Sequence, residues 1–154
     1  MNLDNLRKFI IESNKTGYAS GESGKKEADG SNTIIYESGD WKSHDNYFGG
    51  EPYGGRVIVS YKGKPFWIMV YYGKVEKTIK DFSEVYSFLR KAISIVPEDY
   101  PFRGPAIFRE SGLVYRNKWN GDIKSFLGKE TISRDGKRIY IARYIGGLVD
   151  QKKE

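Results

Sequence analysis

The 154-residue chain has no cysteine and a single histidine, His44. Without thiols there are no disulfides and no thiolate metal sites, and the common zinc ligand sets cannot be assembled around one histidine. No metal site and no cofactor is therefore expected. A serine–histidine–aspartate triad would have to use His44. Its neighbour Asp45 projects from the opposite face of a strand and is a poor orienter for it. No apolar run approaches the roughly 18 residues of a membrane span. The opening Met1-Asn2-Leu3-Asp4-Asn5-Leu6 has no basic stretch followed by a long apolar run, so no signal peptide is legible. A cytoplasmic location with no membrane partner is the expectation. Gly49-Gly50-Glu51-Pro52-Tyr53-Gly54-Gly55 is rich in glycine but lacks the spacing of a phosphate loop and does not open a helix.

What the chain does have is glycine, aromatic rings and positive charge: 18 glycines, 15% aromatics and a formal charge of +6. The length suits one domain, here 1–149, with a frayed tail at 150–154. Such a chain buries roughly 70% of its unfolded surface, enough for a core without staples. The charge is uneven. Arg116, Lys118, Lys124, Lys129, Arg134, Lys137, Arg138 and Arg143 outnumber the acids in the C-terminal third, a distribution that speaks to anionic partners rather than to fold.

The pattern centres on Arg56 to Tyr72. Val57, Val59 and Tyr61 alternate with Ile58 and Ser60, and Phe66 to Tyr72 is apolar on both faces. These read as two strands joined through Lys62-Gly63-Lys64-Pro65, the second lying in mid-sheet with both sides covered. Upstream, Leu3, Leu6, Phe9, Ile10 and Ser13 fit a short helix over 3–13. Residues 14–32 carry glycine, serine and charge without periodicity and read as a mobile loop. Strands 33–38 and 41–48 flank Gly39-Asp40, a two-residue hairpin signal. Phe82, Val85, Tyr86, Leu89, Ala92, Ile93 and Val96 recur at helical spacing, so 81–96 is the long helix, closed by Pro97 and capped by Asp81 or Thr78. Strands at 113–119, 123–133 and 137–145 follow, separated by Asn120-Gly121 and Asp135-Gly136, with Gly128 a candidate bulge. The fold class is α+β: a single curved, mainly antiparallel sheet of about seven strands, one long helix packed across it and a short N-terminal helix.

Several stretches resemble a known family. Thr16-Gly17-Tyr18-Ala19, Asp45 to Gly50, Lys64 to Gly73, Arg103-Gly104-Pro105 and Tyr144 to Gly147 are similar, in order and spacing, to a prokaryotic domain of unknown function, DUF5680. The resemblance spans about residues 3–149. It implies an asparagine in the central strand where Val70 stands, and acids in the region that Gly55 and Arg56 occupy. Some relatives carry the domain behind a helix-turn-helix region, which implies a sensing or partner-binding module.

Three functions follow as expectations. The first is a non-catalytic module binding a small ligand or a protein partner, with Trp41, Asp45, Tyr47, Tyr72, Arg103 and Glu130 as candidate contacts on an aromatic sheet. The second is single-stranded nucleic-acid binding by the C-terminal meander. There Arg116, Lys118, Lys124, Phe126, Arg138, Tyr140 and Tyr144 would share one face, with Leu113, Tyr115, Ile123, Leu127, Ile139 and Ile145 on the core side. The third is an enzyme in which Asp45 and Glu130 move protons and Arg103 holds an anion. Catalytic residues and oligomeric state are not legible.

Overall fold

A computed structural model describes residues 2–21 and 23–152. The fold is α+β: nine strands and two α-helices among the described residues, with every pairing antiparallel. Helix α1 spans Leu3–Thr16 and α2 spans Ser83–Ser94. The strands are β1 Lys25–Lys26, β2 Asn32–Ser38, β3 Trp41–Phe48, β4 Tyr53–Tyr61, β5 Lys64–Val75, β6 Ile107–Glu110, β7 Leu113–Asp122, β8 Ser125–Arg134 and β9 Lys137–Leu148. Their order in the sheet is β1-β2-β3-β4-β5-β9-β8-β7-β6. Two meanders are thus joined through their last strands, β5 and β9, which pair from Trp67↔Leu148 to Val75↔Tyr140.

The two-residue turns explain most of this connectivity. Gly39-Asp40 joins β2 to β3, Lys62-Gly63 joins β4 to β5, and Asp135-Gly136 joins β8 to β9. In the last two both turn residues have positive φ, the geometry that matches strand twist. Asn2 caps α1 by accepting from the Asp4 N–H at 2.8 Å, and Asp81 receives the Ser83 N–H and hydroxyl before α2.

Both helices pack on one face of the sheet, the inner face. Leu6, Phe9 and Ile10 of α1 meet Val57, Val59, Trp67 and Met69. Val85, Phe88, Leu89, Ala92 and Ile93 of α2 meet Leu113, Ile132 and Ile139. At roughly 1.5–3 kcal/mol per fully buried large apolar side chain, these stripes hold the helices down.

Several expectations are corrected. The sheet has nine strands rather than seven, because β1 and β6, of two and four residues, are too short to show a period. Helix α1 continues to Thr16, and α2 is shorter at both ends than 81–96. The segment 14–32 includes the end of α1, a 3-10 turn at Tyr18–Ser20 and β1; Glu22 lies outside the described residues, as do 153–154 of the expected tail. Strand β5 is in mid-sheet, but only its inner side is covered: Val70 is 46% and Tyr72 55% exposed. The β7–β8 turn falls at Ile123-Lys124 rather than Asn120-Gly121. The bulge lies between Ile132 and Ser133 rather than at Gly128. No helix among the described residues is long and apolar enough to cross a membrane.

Candidate functional site

The inner face carries four tyrosines, Tyr53, Tyr115, Tyr140 and Tyr144, whose hydroxyls join one buried network, and two of them lie across glycines of the facing strand. Tyr53 crosses Gly73, its register partner, and Tyr144 crosses Gly128, its partner on β8. A Cβ at Gly128 would sit 2.1 Å from Cζ of Tyr144, and one at Gly73 2.7 Å from the Tyr53 hydroxyl. Glycine at these two positions is what lets the rings lie down and send their hydroxyls across neighbouring strands.

Those hydroxyls converge on a buried charge pair. Arg103 comes from the irregular segment between α2 and β6. That segment is anchored by Phe102, fully buried and stacked on Phe126 at 3.9 Å between centroids. Arg103 donates from Nε and Nη2 to Oε1 of Glu130, at 3.0 and 2.5 Å. Tyr140 donates to the same oxygen at 3.1 Å and Tyr115 to Oε2 at 2.6 Å. Tyr115 in turn accepts the Gly104 N–H, and Arg103 Nη2 donates to the Tyr53 hydroxyl at 3.2 Å. Tyr53 and Tyr140 share a hydrogen bond of 2.5 Å. Asn117 donates to the Gly104 carbonyl and accepts from Tyr144. Glu130 is wholly buried, yet both its oxygens are satisfied, the condition under which a buried ion pair is tolerated. Burial works against the Arg103 charge, and Glu130 more than restores it, so the guanidinium stays protonated well above its ordinary range. Burial first, and then the Glu130 charge, pushes the Tyr115 and Tyr140 hydroxyls up.

Beside this network lies a cavity of about 280 Å³ between the inner face and both helices. Ser13, Asn14 and Tyr18 close one side, Tyr86 and Arg90 the other, and Asp45, Tyr47, Tyr53 and Tyr71 form the floor. Arg103 enters the same wall with its Cζ 5.5 Å from the centroid of the Tyr71 ring. Tyr71 donates to Oδ1 of Asp45 at 2.5 Å. Burial raises the Asp45 carboxyl to about 6, against the opposing pull of the Tyr71 hydrogen bond and the Arg103 charge. Arg90 stacks over Tyr18 at 5.7 Å and pairs with no carboxylate among the described residues.

Of the residues expected to contact a ligand, Asp45, Tyr47 and Arg103 line the cavity, and Glu130 stands directly behind Arg103. Trp41 lies apart, packed between Phe9 and Tyr61. Tyr72 is on the other face of the sheet, because inner positions on β5 are the odd-numbered ones: Trp67, Met69 and Tyr71. Tyr18, Tyr53, Tyr71, Tyr86 and Arg90 were missed as site residues. Strand alternation would have found Tyr71, since it shares parity with the apolar Trp67 and Met69. Nothing local distinguishes Arg90 from any other helix arginine.

The expected basic-aromatic face of the C-terminal meander does not exist as drawn. Phe126, Tyr140 and Tyr144 point inward and are buried, whereas Arg116 and Lys118 point outward. Lys124 lies in the β7–β8 turn, and Arg138 pairs with Glu76 at 3.0 Å. Leu127 and Ile145, expected on the core side, are 54% and 59% exposed. The register sets these faces: Lys118 pairs with Lys129 and Lys129 with Arg143, so the cations of three strands form one cross-strand row. Tyr72 continues that row on β5.

A model of one family matches residues 45–149: the domain of unknown function DUF5680. The chain belongs to the DUF5680 family. The matched span contains Asp45, Arg103, Glu130 and every network tyrosine from Tyr53 to Tyr144. Neither the curated proteins nor the solved structures hold a match to this DUF5680 chain. Of the places where it departs from the resemblance, Arg56 and Val70 are register partners on the outer face, whereas Gly55 faces inward, where a Cβ would sit 2.7 Å from the hydroxyl of the cavity residue Tyr71. Among the described residues, no group of three or more histidine, aspartate or glutamate side chains is placed to hold a metal.

Proposed function

We propose that this DUF5680 domain is a non-catalytic binding module whose inner-face cavity receives a small molecule. One observation carries the reading: a buried arginine is fixed from behind by Glu130 and Tyr53, and its other end meets a cavity walled by tyrosine rings. Fixing a cation in this way orients a binding group in advance, and a mostly apolar pocket with a few placed polar groups is the usual form of a ligand site. Two-carboxylate proton chemistry has less support. Glu130 has both oxygens engaged by the network, and Asp45 is the sole acid lining the cavity among the described residues. A thermal-shift screen against a metabolite library tests the reading, with Ser13→Trp as the control that fills the cavity from α1. Ligands that raise the melting temperature of the wild type and not of Ser13→Trp support it. A screen whose hits stabilise both proteins equally sinks it.

A second reading rests on a separate observation. Lys118, Lys129 and Arg143 stand side by side across three strands, exposed and without an ion pair among the described residues. Like charges placed directly opposite one another oppose sheet formation, so such a row suits an anionic strand. With Tyr72 at its end, this row replaces the earlier residue set as the candidate surface for single-stranded nucleic acid. Binding to a labelled single strand should fall steeply with salt, and a Lys118→Ala, Lys129→Ala, Arg143→Ala variant should lose it. Equal binding by the variant would dispose of this reading.

A further inference from the structure

We infer that the ligand class of the cavity is a small organic monocarboxylate, an anionic head on an apolar or aromatic body, with its carboxylate held between Arg90 and Arg103. The inference rests on the cavity being a ligand site. It names which molecules that site takes.

Five charged groups meet at or directly behind the cavity wall: Arg90, Arg103, Asp45, Glu130 behind Arg103, and Glu51 behind Tyr86. Glu130 is spent on Arg103 and on Tyr115 and Tyr140. Asp45 sits beyond the Tyr71 ring from Arg103, and the Tyr71 hydroxyl occupies its Oδ1. Arg90 has no acid partner among the described residues. Arg103 uses Nε and Nη2 for Glu130 and Tyr53, and its Nη1 makes no hydrogen bond to a described residue. Both arginines line the same cavity, Arg90 over the Tyr18 ring and Arg103 over the Tyr71 ring. That region is rich in donors and short of an anion. Guanidinium groups match the planar, two-oxygen head of a carboxylate.

The partners set the charge of the guest. Glu130 offsets Arg103, and Glu51 is held by the Tyr86 hydroxyl and the Val75 N–H, so Arg90 is the cation at the wall with no acid partner among the described residues, and one monoanion answers it. A phosphate dianion would bring a second negative charge beside the partly buried Asp45, which is costly. An ammonium guest would need Asp45 ionised and would find one free carboxylate oxygen there. The rest of the wall is apolar or aromatic, with Ile34, Val57, Met69, Phe82 and Ile93 around the rings of Tyr53 and Tyr86. A hydrocarbon body fits that lining, and a cavity of about 280 Å³ holds a benzoate-sized molecule rather than a nucleotide.

The test is calorimetric titration of the full chain at pH 6 with benzoate and phenylacetate. Benzamide serves as the neutral counterpart and benzylamine as the cationic one. The two carboxylates should bind at least about tenfold tighter than benzamide, the worth of one charge-assisted hydrogen bond. Arg90→Gln should weaken benzoate by about tenfold while leaving benzamide unchanged. Arg90 lies outside the buried network, so this variant should melt within a few degrees of the wild type, and that melt is measured alongside. Ser13→Trp should abolish binding of all four. If benzamide or benzylamine binds as well as benzoate and Ser13→Trp removes it, the carboxylate class is overturned while the cavity stands. If benzoate binding survives Arg90→Gln and is lost with Lys118→Ala, Lys129→Ala, Arg143→Ala, it belongs to the outer face and the inference fails. If no probe binds the wild type, both the inference and the reading beneath it fall.

Discussion

The two faces of this sheet use the same residue types to opposite ends. On the inner face, Arg103 is buried and held in place: Glu130, Tyr53 and the Tyr71 ring surround it. On the outer face, Arg143 stands between Lys129 and Tyr72 and pairs with no acid among the described residues. Both are arginines in an aromatic setting. The difference is desolvation. A buried cation needs its counter-charge at hydrogen-bond distance, whereas an exposed one is served by water and salt. The inner face therefore encodes its geometry in a closed network, and the outer face leaves its charges free to meet something else. Tyrosine divides the same way. Tyr71 is buried and holds Asp45, while its neighbour Tyr72 is exposed one residue later on the same strand.

Breaking the inner network should have the largest effect. Glu130→Ala strands Arg103 in a dry site, and urea unfolding should show a loss of about 3–5 kcal/mol. Pairing Glu130→Leu with Arg103→Met should recover part of that loss, because an apolar pair of similar volume avoids the uncompensated charge. The double variant should still fail to bind benzoate. A next, smaller effect comes from Gly128→Ala, which pushes the Tyr144 ring off the strand and should cost about 1–3 kcal/mol in the same assay.

Asp45 gives a pH-dependent contrast. Its folded pKa of about 6 lies above the unfolded carboxylate value, so the folded chain holds this proton more tightly. Its contribution to stability is fully present below pH 4 and is lost as pH rises through 6. Asp45→Asn should match the wild type at pH 4 and exceed it by about 2 kcal/mol at pH 7.5, measured by denaturant unfolding at both values. An unchanged difference across that window would show that Asp45 is solvated rather than held by the cavity wall. The smallest effect belongs to the outer face. Lys129→Thr relieves two like-charge neighbours and should change stability by no more than about 0.5 kcal/mol, in the favourable direction at low salt. A large loss there would mean that the outer row is structural after all.

Much of the architecture was legible because it is written locally. Gly39-Asp40, Lys62-Gly63 and Asp135-Gly136 mark their turns, and the apolar stripe of α2 needs no tertiary knowledge. The site was legible only in part, since it is assembled from partners up to 87 residues apart, such as Arg103 with Glu130 and Tyr53 with Tyr140. Asp45, Arg103 and Glu130 stood out as charged residues in glycine-flanked or strand positions. Tyr53 did not, because its role depends on Gly73 of the facing strand making room for the ring. The outer row was misread for a different reason. Moving the β7–β8 turn to Ile123-Lys124 fixes which residues of β8 face Arg116 and Lys118, and a turn position cannot be settled from Asn120-Gly121 alone when Gly121 takes its positive φ inside β7.

The central claim is that the inner face, and not the outer, holds the ligand. Its most direct measurement is a crystal soaked with 4-bromobenzoate, with the bromine located by anomalous scattering. The account predicts one bromine peak inside the cavity among Met69, Phe82 and Ile93, with the carboxylate turned toward Arg90 and Arg103. A peak beside Lys118, Lys129 and Arg143, or a cavity without bromine at saturating ligand, would contradict it.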